Sequence, residues 1–228
     1  LNVLNIEVLK QLEEVLGDLA GRSQLRLLAL HSRQKAFSAG ADVGEHLPEM
    51  AGQMLQTFHR VLLCLANFPT PTVALLEGAA LGGGAELALC CDMRLMNEGA
   101  SLGQPEIKVG VFPPLACLLL PRLVPPALAW ELILTGRTLK AEECLRLGLA
   151  NAVYGEESFG EQSGAFLDRL VSQSGPVLRL TKRALRLGED WQQRLQAIEQ
   201  LYLQDLMGEP DALEGLQAFL DKRKPVWT

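Results

Sequence analysis

Between Ile6 and Ala20 apolar residues recur at Val8, Leu9, Leu12, Val15, Leu16 and Leu19, with Glu and Lys on the other side. That spacing predicts an amphipathic helix with Asn5 as its N-cap, bracketed at its end by Gly17 and Gly21. Residues 25–30 form a compact apolar run and read as a strand. A polar loop broken by Pro48 precedes a second helical pattern over residues 54–68, which Pro69 and Pro71 end. Thr72–Leu76 reads as a buried strand, residues 92–96 as another, and residues 100–103 as a short extended piece. Residues 115–123 and 126–134 read as helices, the latter with proline in its first turn. Residues 138–143 carry a helix-start signature, Gly148 stops that helix, and Ala152–Tyr154 is a short strand. From Phe159 onward the pattern is helical only, over residues 160–173, 176–187, 191–207 and 211–222. The expected division is a mixed core over residues 1–155 and a helical region over 156–228.

One stretch fits neither period. Glu77-Gly78-Ala79-Ala80-Leu81-Gly82-Gly83-Gly84-Ala85-Glu86-Leu87 lies between the strand Thr72–Leu76 and an apolar helical segment. A strand, a glycine-rich turn and a helix start bring backbone N–H groups to one point, which suits an anion or a developing oxyanion. The stretch lacks both the dinucleotide spacing of glycines and the Gly-Lys-Ser/Thr ending of a phosphate loop. Glu86 is expected about one turn into the helix, in dry surroundings. The bland alternative is a helix packing closely on a sheet, with Glu86 facing solvent.

Two further segments qualify as chemistry. Residues 35–42, Lys-Ala-Phe-Ser-Ala-Gly-Ala-Asp, form a sharp loop of small residues that lets a ligand approach the backbone. Asp42 is placed to cap that turn or the segment after it. In Gln104-Pro105-Glu106-Ile107 the proline fixes the local backbone and so aims Glu106. On its own this carboxylate is as well read as a surface charge.

Composition narrows the options. The chain has 228 residues, 48% of them hydrophobic, and a formal net charge of −6. A large core is expected; nucleic acid and anionic membranes are not expected as partners. Five cysteines show no framework spacing, and the adjacent Cys90 and Cys91 sit in an apolar run. Free thiols in a reducing, cytoplasmic setting are the expectation. The histidines, His31, His46 and His59, are scattered, and no spacing suggests a metal.

Taken together, the segments Leu1-Asn2-Val3-Leu4-Asn5, residues 36–42, Glu77 to Leu87, Gln104-Pro105-Glu106-Ile107, Leu134-Thr135-Gly136, Gly148-Leu149-Ala150-Asn151 and Phe219 to Lys224 resemble the crotonase (enoyl-CoA hydratase/isomerase) superfamily, in family order. The resemblance implies an α/β core of repeated β-β-α turns and a C-terminal helical region that assembles trimers or hexamers. It also implies two family strands ahead of Leu1 that this chain lacks. It implies no permanently bound cofactor, coenzyme A entering as part of the substrate. By the same resemblance Ala39 and Gly83 supply the two N–H donors of an oxyanion hole, and Glu86 and Glu106 hold and activate water. Ala36, Ala41 and Asp42 line the coenzyme A groove, and Lys222 reaches its phosphates. Glu86 as base and Glu106 as acid is the provisional assignment.

The chain departs from most hydratases after Gly110, where Val111-Phe112-Pro113-Pro114-Leu115-Ala116 replaces a small-residue turn. With residues 43–49, this stiffer stretch resembles the cyclohexa-1,5-diene-1-carbonyl-CoA hydratases. It makes His46, Phe112 and Pro113 candidates for shaping an acyl pocket. The alternatives are a short-chain or branched 2-enoyl-CoA hydratase, an enoyl-CoA isomerase working with one carboxylate, or a non-catalytic binding protein of the same fold.

Overall fold

The computed structural model describes residues 1–186 and 191–227. In chain order the elements are β1 (Val3–Leu4), α1 (Ile6–Ala20), β2 (Leu28–His31), β3 (Gly40–Ala41), α2 (Pro48–Ala66), β4 (Thr72–Leu76) and β5 (Ala79–Leu81). Next come α3 (Gly83–Cys90), β6 (Met93–Asn97), β7 (Ser101–Gly103), α4 (Pro114–Leu123), α5 (Pro126–Thr135), β8 (Thr138–Lys140), α6 (Ala141–Arg146) and β9 (Ala152–Tyr154). The remainder is α7 (Phe159–Val171), α8 (Gly175–Leu185), α9 (Trp191–Gln200) and α10 (Pro210–Leu220). Among the described residues no strand follows Tyr154. Leu187, the end of the expected helix 176–187, lies outside the described residues.

Three turns of one pattern build the core. Each turn has a strand in a large sheet, a short strand set off from it, and a helix: β2–β3–α2, β4–β5–α3 and β6–β7–α4. The large sheet runs β2-β4-β6-β9 and is parallel throughout. The short strands fall into a parallel pair, β1-β3, and a three-stranded sheet, β5-β7-β8. The consequence for function is positional. The segments following β3, β5 and β7 occupy the same place in successive turns, so they gather at one side of the molecule.

Local chemistry explains most of the elements. Asn5 Oδ1 accepts from Val8 N at 2.9 Å, which caps α1 as its side chain and position predict. Pro48 does not break the chain there. It opens α2 at a first-turn position, where its missing N–H has no partner to lose. Strands β5 and β8 are three residues each, too short to show an alternating pattern. The helical region is not set apart from the core: Leu195, Tyr202 and Leu216 pack in one cluster with Phe58, Leu62 and Leu115.

The glycine turn owes its composition to crowding. A Cβ on Gly84 would meet Ser38 Cβ at 2.6 Å and Ser38 O at 2.7 Å. Exposed Gly17 in α1 has nothing within 4 Å of the same position. Gly84→Ala is therefore expected to cost about 1–3 kcal/mol by overpacking, and Gly17→Ala to gain up to about 1 kcal/mol of helix propensity. Urea unfolding of the two variants checks this opposite pair of signs.

Candidate active site

The three gathered segments deliver different groups. β3 ends on Ala41, after β5 come Gly82 and Gly83, and after β7 come Gln104, Pro105 and Glu106. Glu86 follows on α3, one turn in from Gly83, and only 2% of it is exposed.

Gly83 is the first residue of α3, where an N–H has no carbonyl of its own helix to meet. The second donor is not the one expected. Ala39 N–H donates to Leu1 O at 3.0 Å and is taken up by the sheet edge. Asp42 N–H donates to Leu4 O at 3.3 Å, so strand alternation turns the intervening Ala41 N–H away from β1. It faces Gly83: a Cβ built on Gly83 would lie 3.3 Å from Ala41 N. Gly40 makes this turn with φ +99, a conformation that excludes a side chain. The pair of N–H groups is thus Ala41 and Gly83, and Ala39 is corrected to a wall residue of the adjoining chamber.

Glu86 Oε1 accepts from Leu115 N at 2.8 Å and Ala116 N at 2.9 Å, the first-turn amides of α4. Burial pushes its carboxyl up to about 7, and the Ala116 and Leu115 amides pull in the other direction. Glu106 lies against Gly82, where a Cβ would sit 2.7 Å from Glu106 Oε1. With its amide nitrogen turned toward Glu106, buried Gln104 donates to Oε1 at 3.1 Å and to Oε2 at 3.2 Å. Burial, and then the charge of Glu86, hold the Glu106 carboxyl well above the ordinary range. The pair is therefore unequal. Glu86 has two helix-terminal amides on one oxygen, so the negative charge falls there and the proton stays on Glu106.

Two adjoining cavities meet at Glu106. The outer one holds about 320 Å³ and is walled by Val43, Val109, Val111 and Leu216, with Glu106 and Lys108 at its margin. The inner one, about 20 Å³, has room for a single water molecule. Glu86, Glu106, Phe112, Pro113 and Tyr202 enclose it. Ala41, Gly83, His46 and Glu106 line both. His46 Nδ1 meets Asp42 O at 2.8 Å, and burial holds the imidazole below its usual range, so it is neutral and donates through Nδ1.

The other expected residues stand elsewhere. Asp42 accepts from Gly44 N at 2.8 Å and caps the 3-10 turn that follows. Ala36 is buried under Gly78, outside both cavities. Lys222 is exposed and lines neither. Sequence reasoning passed over Gln104, Lys108 and Tyr202. The first two flank Glu106 and were open to notice; Tyr202 is nearly a hundred residues further on and carries no local signal.

Comparison with known proteins identifies the family. The enoyl-CoA hydratase/isomerase family model matches residues 1–228. The chain is 35% identical to a cyclohexa-1,5-dienecarbonyl-CoA hydratase of Thauera aromatica, over 99% of this chain and 88% of that protein. It is 31% identical to a short-chain-enoyl-CoA hydratase of Clostridium acetobutylicum, over 98% of this chain and 88% of that one. An enoyl-CoA hydratase structure from Mycobacterium avium subsp. paratuberculosis superposes with a TM-score of 0.86 at 26% identity, over 99% of this chain and 89% of that one. The chain belongs to the enoyl-CoA hydratase/isomerase family, enzymes acting on enoyl-CoA thioesters, and has the crotonase fold.

The raised carboxyls make a stability prediction. A carboxyl whose folded pKa is raised contributes its full stability below the unfolded value near 4.5, and loses it as pH rises. Glu106→Gln removes that loss. Its stability relative to the wild-type protein is expected to be near parity at pH 4 and to grow above it, by about 1.4 kcal/mol per pH unit for one proton difference. Thermal unfolding across pH 4–9 reads it; a difference that stays flat or shrinks contradicts the assignment.

Proposed function

We propose that the chain hydrates an α,β-unsaturated acyl-CoA thioester with a compact acyl group, through an enolate held by the Ala41 and Gly83 N–H groups. The observation that carries this reading is the unequal carboxyl pair around a cavity of one-water size. For a 2-enoyl thioester the electron count closes with these groups alone. Glu86 takes a proton from water as the water oxygen bonds to Cβ. The Cα–Cβ π pair moves toward the thioester carbonyl, and the negative charge on its oxygen meets the two N–H groups. Glu106 then gives its proton to Cα and the carbonyl re-forms. One such N–H donor supplies about 3–4 kcal/mol of transition-state stabilisation where it has been measured. An isomerase needs only one carboxylate to carry a proton between carbons, so a second carboxyl on the same water site favours hydration.

Two features support a compact acyl group. Phe112, Pro113 and Tyr202 close the inner cavity, so an extended chain has no onward path there. The stiff segment holding Phe112 and Pro113 is also the part that resembles the cyclic dienoyl-CoA hydratases. Cyclohexa-1,5-diene-1-carbonyl-CoA is the substrate we put first, in keeping with the relative from Thauera aromatica. A short linear enoyl group is the second reading, favoured by the same closed end and by the short-chain relative. Lys108, at the margin of the outer chamber, is a candidate contact for the coenzyme A portion.

Turnover of the cyclic dienoyl-CoA against crotonyl-CoA decides between them. The expected result is a higher kcat/KM for the ring, with Glu86→Gln and Glu106→Gln each lowering kcat by about 10²–10⁴. The rate should rise with pH as Glu86 ionises, with its acid limb near the value of about 7. Turnover of neither thioester, or Gln variants as active as the wild-type protein, overturns the hydratase reading.

A further inference from the structure

Tyr202 belongs to the helical region, on a π-helical turn spanning Leu201–Asp205. Such turns are uncommon and cluster at functional sites. The residue is 1% exposed, and its hydroxyl has no hydrogen-bond partner among the described residues. A buried phenol normally finds one. Its ring is well fixed, meeting Phe112 edge-on at 5.2 Å and 70°. Tyr202 also walls the inner cavity with Glu86 and Glu106. It hydrogen-bonds neither carboxylate directly, so the gap among the three groups is bridged only when the cavity is filled.

The cavity's size sets what fills it. About 20 Å³ admits one water, and a buried water needs two to four polar partners. His46, Glu86, Glu106 and Tyr202 are the polar side chains around it, and His46 has its Nδ1 committed to Asp42. Burial and the two nearby carboxyls push the Tyr202 phenol upward, which keeps it protonated and a donor.

We propose that Tyr202 is the third polar contact of the reacting water, its hydroxyl donating to the water oxygen while Glu86 and Glu106 accept the two hydrogens. The inference rests on the hydratase reading. One lone pair of the water is occupied by Tyr202, and the other faces the outer chamber where the acyl group lies. During addition to a 2-enoyl thioester the water proton passes to Glu86, the oxygen bonds to Cβ as the Cα–Cβ π pair moves toward the thioester oxygen, and Glu106 supplies the proton to Cα. Tyr202 keeps its own proton throughout and ends as donor to the new hydroxyl. The phenol therefore orients the nucleophile and recognises the hydroxylated product.

Tyr202→Phe removes the hydroxyl and keeps the ring against Phe112. Two reactions separate the roles: hydration of crotonyl-CoA or the cyclic dienoyl-CoA, and exchange of the α-hydrogen of butyryl-CoA in D2O. The exchange uses the N–H pair and a carboxylate but no water at Cβ. Hydration is expected to fall by about tenfold or more in the variant, with exchange within about twofold of wild type. Crystals of the wild-type protein should show a water on Tyr202 Oη and both carboxylates, lost or displaced in Tyr202→Phe. Unchanged hydration, an equal loss in both reactions, or a dry cavity in the wild-type crystals overturns the role of Tyr202 alone. A wild-type protein that hydrates neither thioester overturns the hydratase reading instead.

Discussion

A carboxylate buried without a cation beside it must be held by dipoles, and in this protein two amides at the start of α4 hold Glu86. The site is arranged around that contact. It requires α4 to begin within hydrogen-bond distance of α3, which Pro113 and Pro114 achieve by fixing the approach of the chain. It also requires α3 to enter a crowded corner, which only glycine permits. Gly82 leaves space for the Glu106 carboxyl, Gly83 for Phe58 and Ala41, and Gly84 for Ser38. Three consecutive glycines thus answer three different neighbours. The arrangement sets a second carboxyl, half-buried Glu106, against the same small cavity, and in the proposed reaction the proton it retains is the reagent.

Repetition of the β-β-α turn explains how separate stretches converge. The end of β3 and the segments after β5 and β7 bring Ala41, Gly83 and Glu106 together, the two N–H groups and the acid of the proposed reaction. A fourth contribution comes from outside the repeat. The π-helical turn at Leu201–Asp205 brings Tyr202 over the pair and, with Phe112, closes the end of the cavity. The helical region therefore completes the chamber.

How much of this could be read from sequence follows from the range of each interaction. Glu86 and Gly83 were readable because a glycine-rich turn at a helix start has local consequences for dipoles and burial. Helix α1 was readable to its ends because its cap and period are local. Ala39 was misassigned because Gly40 twists the backbone by a positive φ, which moves the exposed N–H to Ala41 without changing any residue type. Asp42 was readable as a cap, since its side chain satisfies an N–H only two positions on. The identity of the proton-bearing carboxyl depends on which one meets the α4 amides, a contact spanning about 30 residues that no spacing encodes.

Infrared difference spectroscopy at pH 8 tests the central claim most directly, because a protonated carboxyl has its own C=O stretch. If the proton resides on Glu106, that band is present in the wild-type protein, persists in Glu86→Gln and disappears in Glu106→Gln. A band that survives in Glu106→Gln and is lost in Glu86→Gln would place the proton on the amide-bound carboxyl and contradict the account.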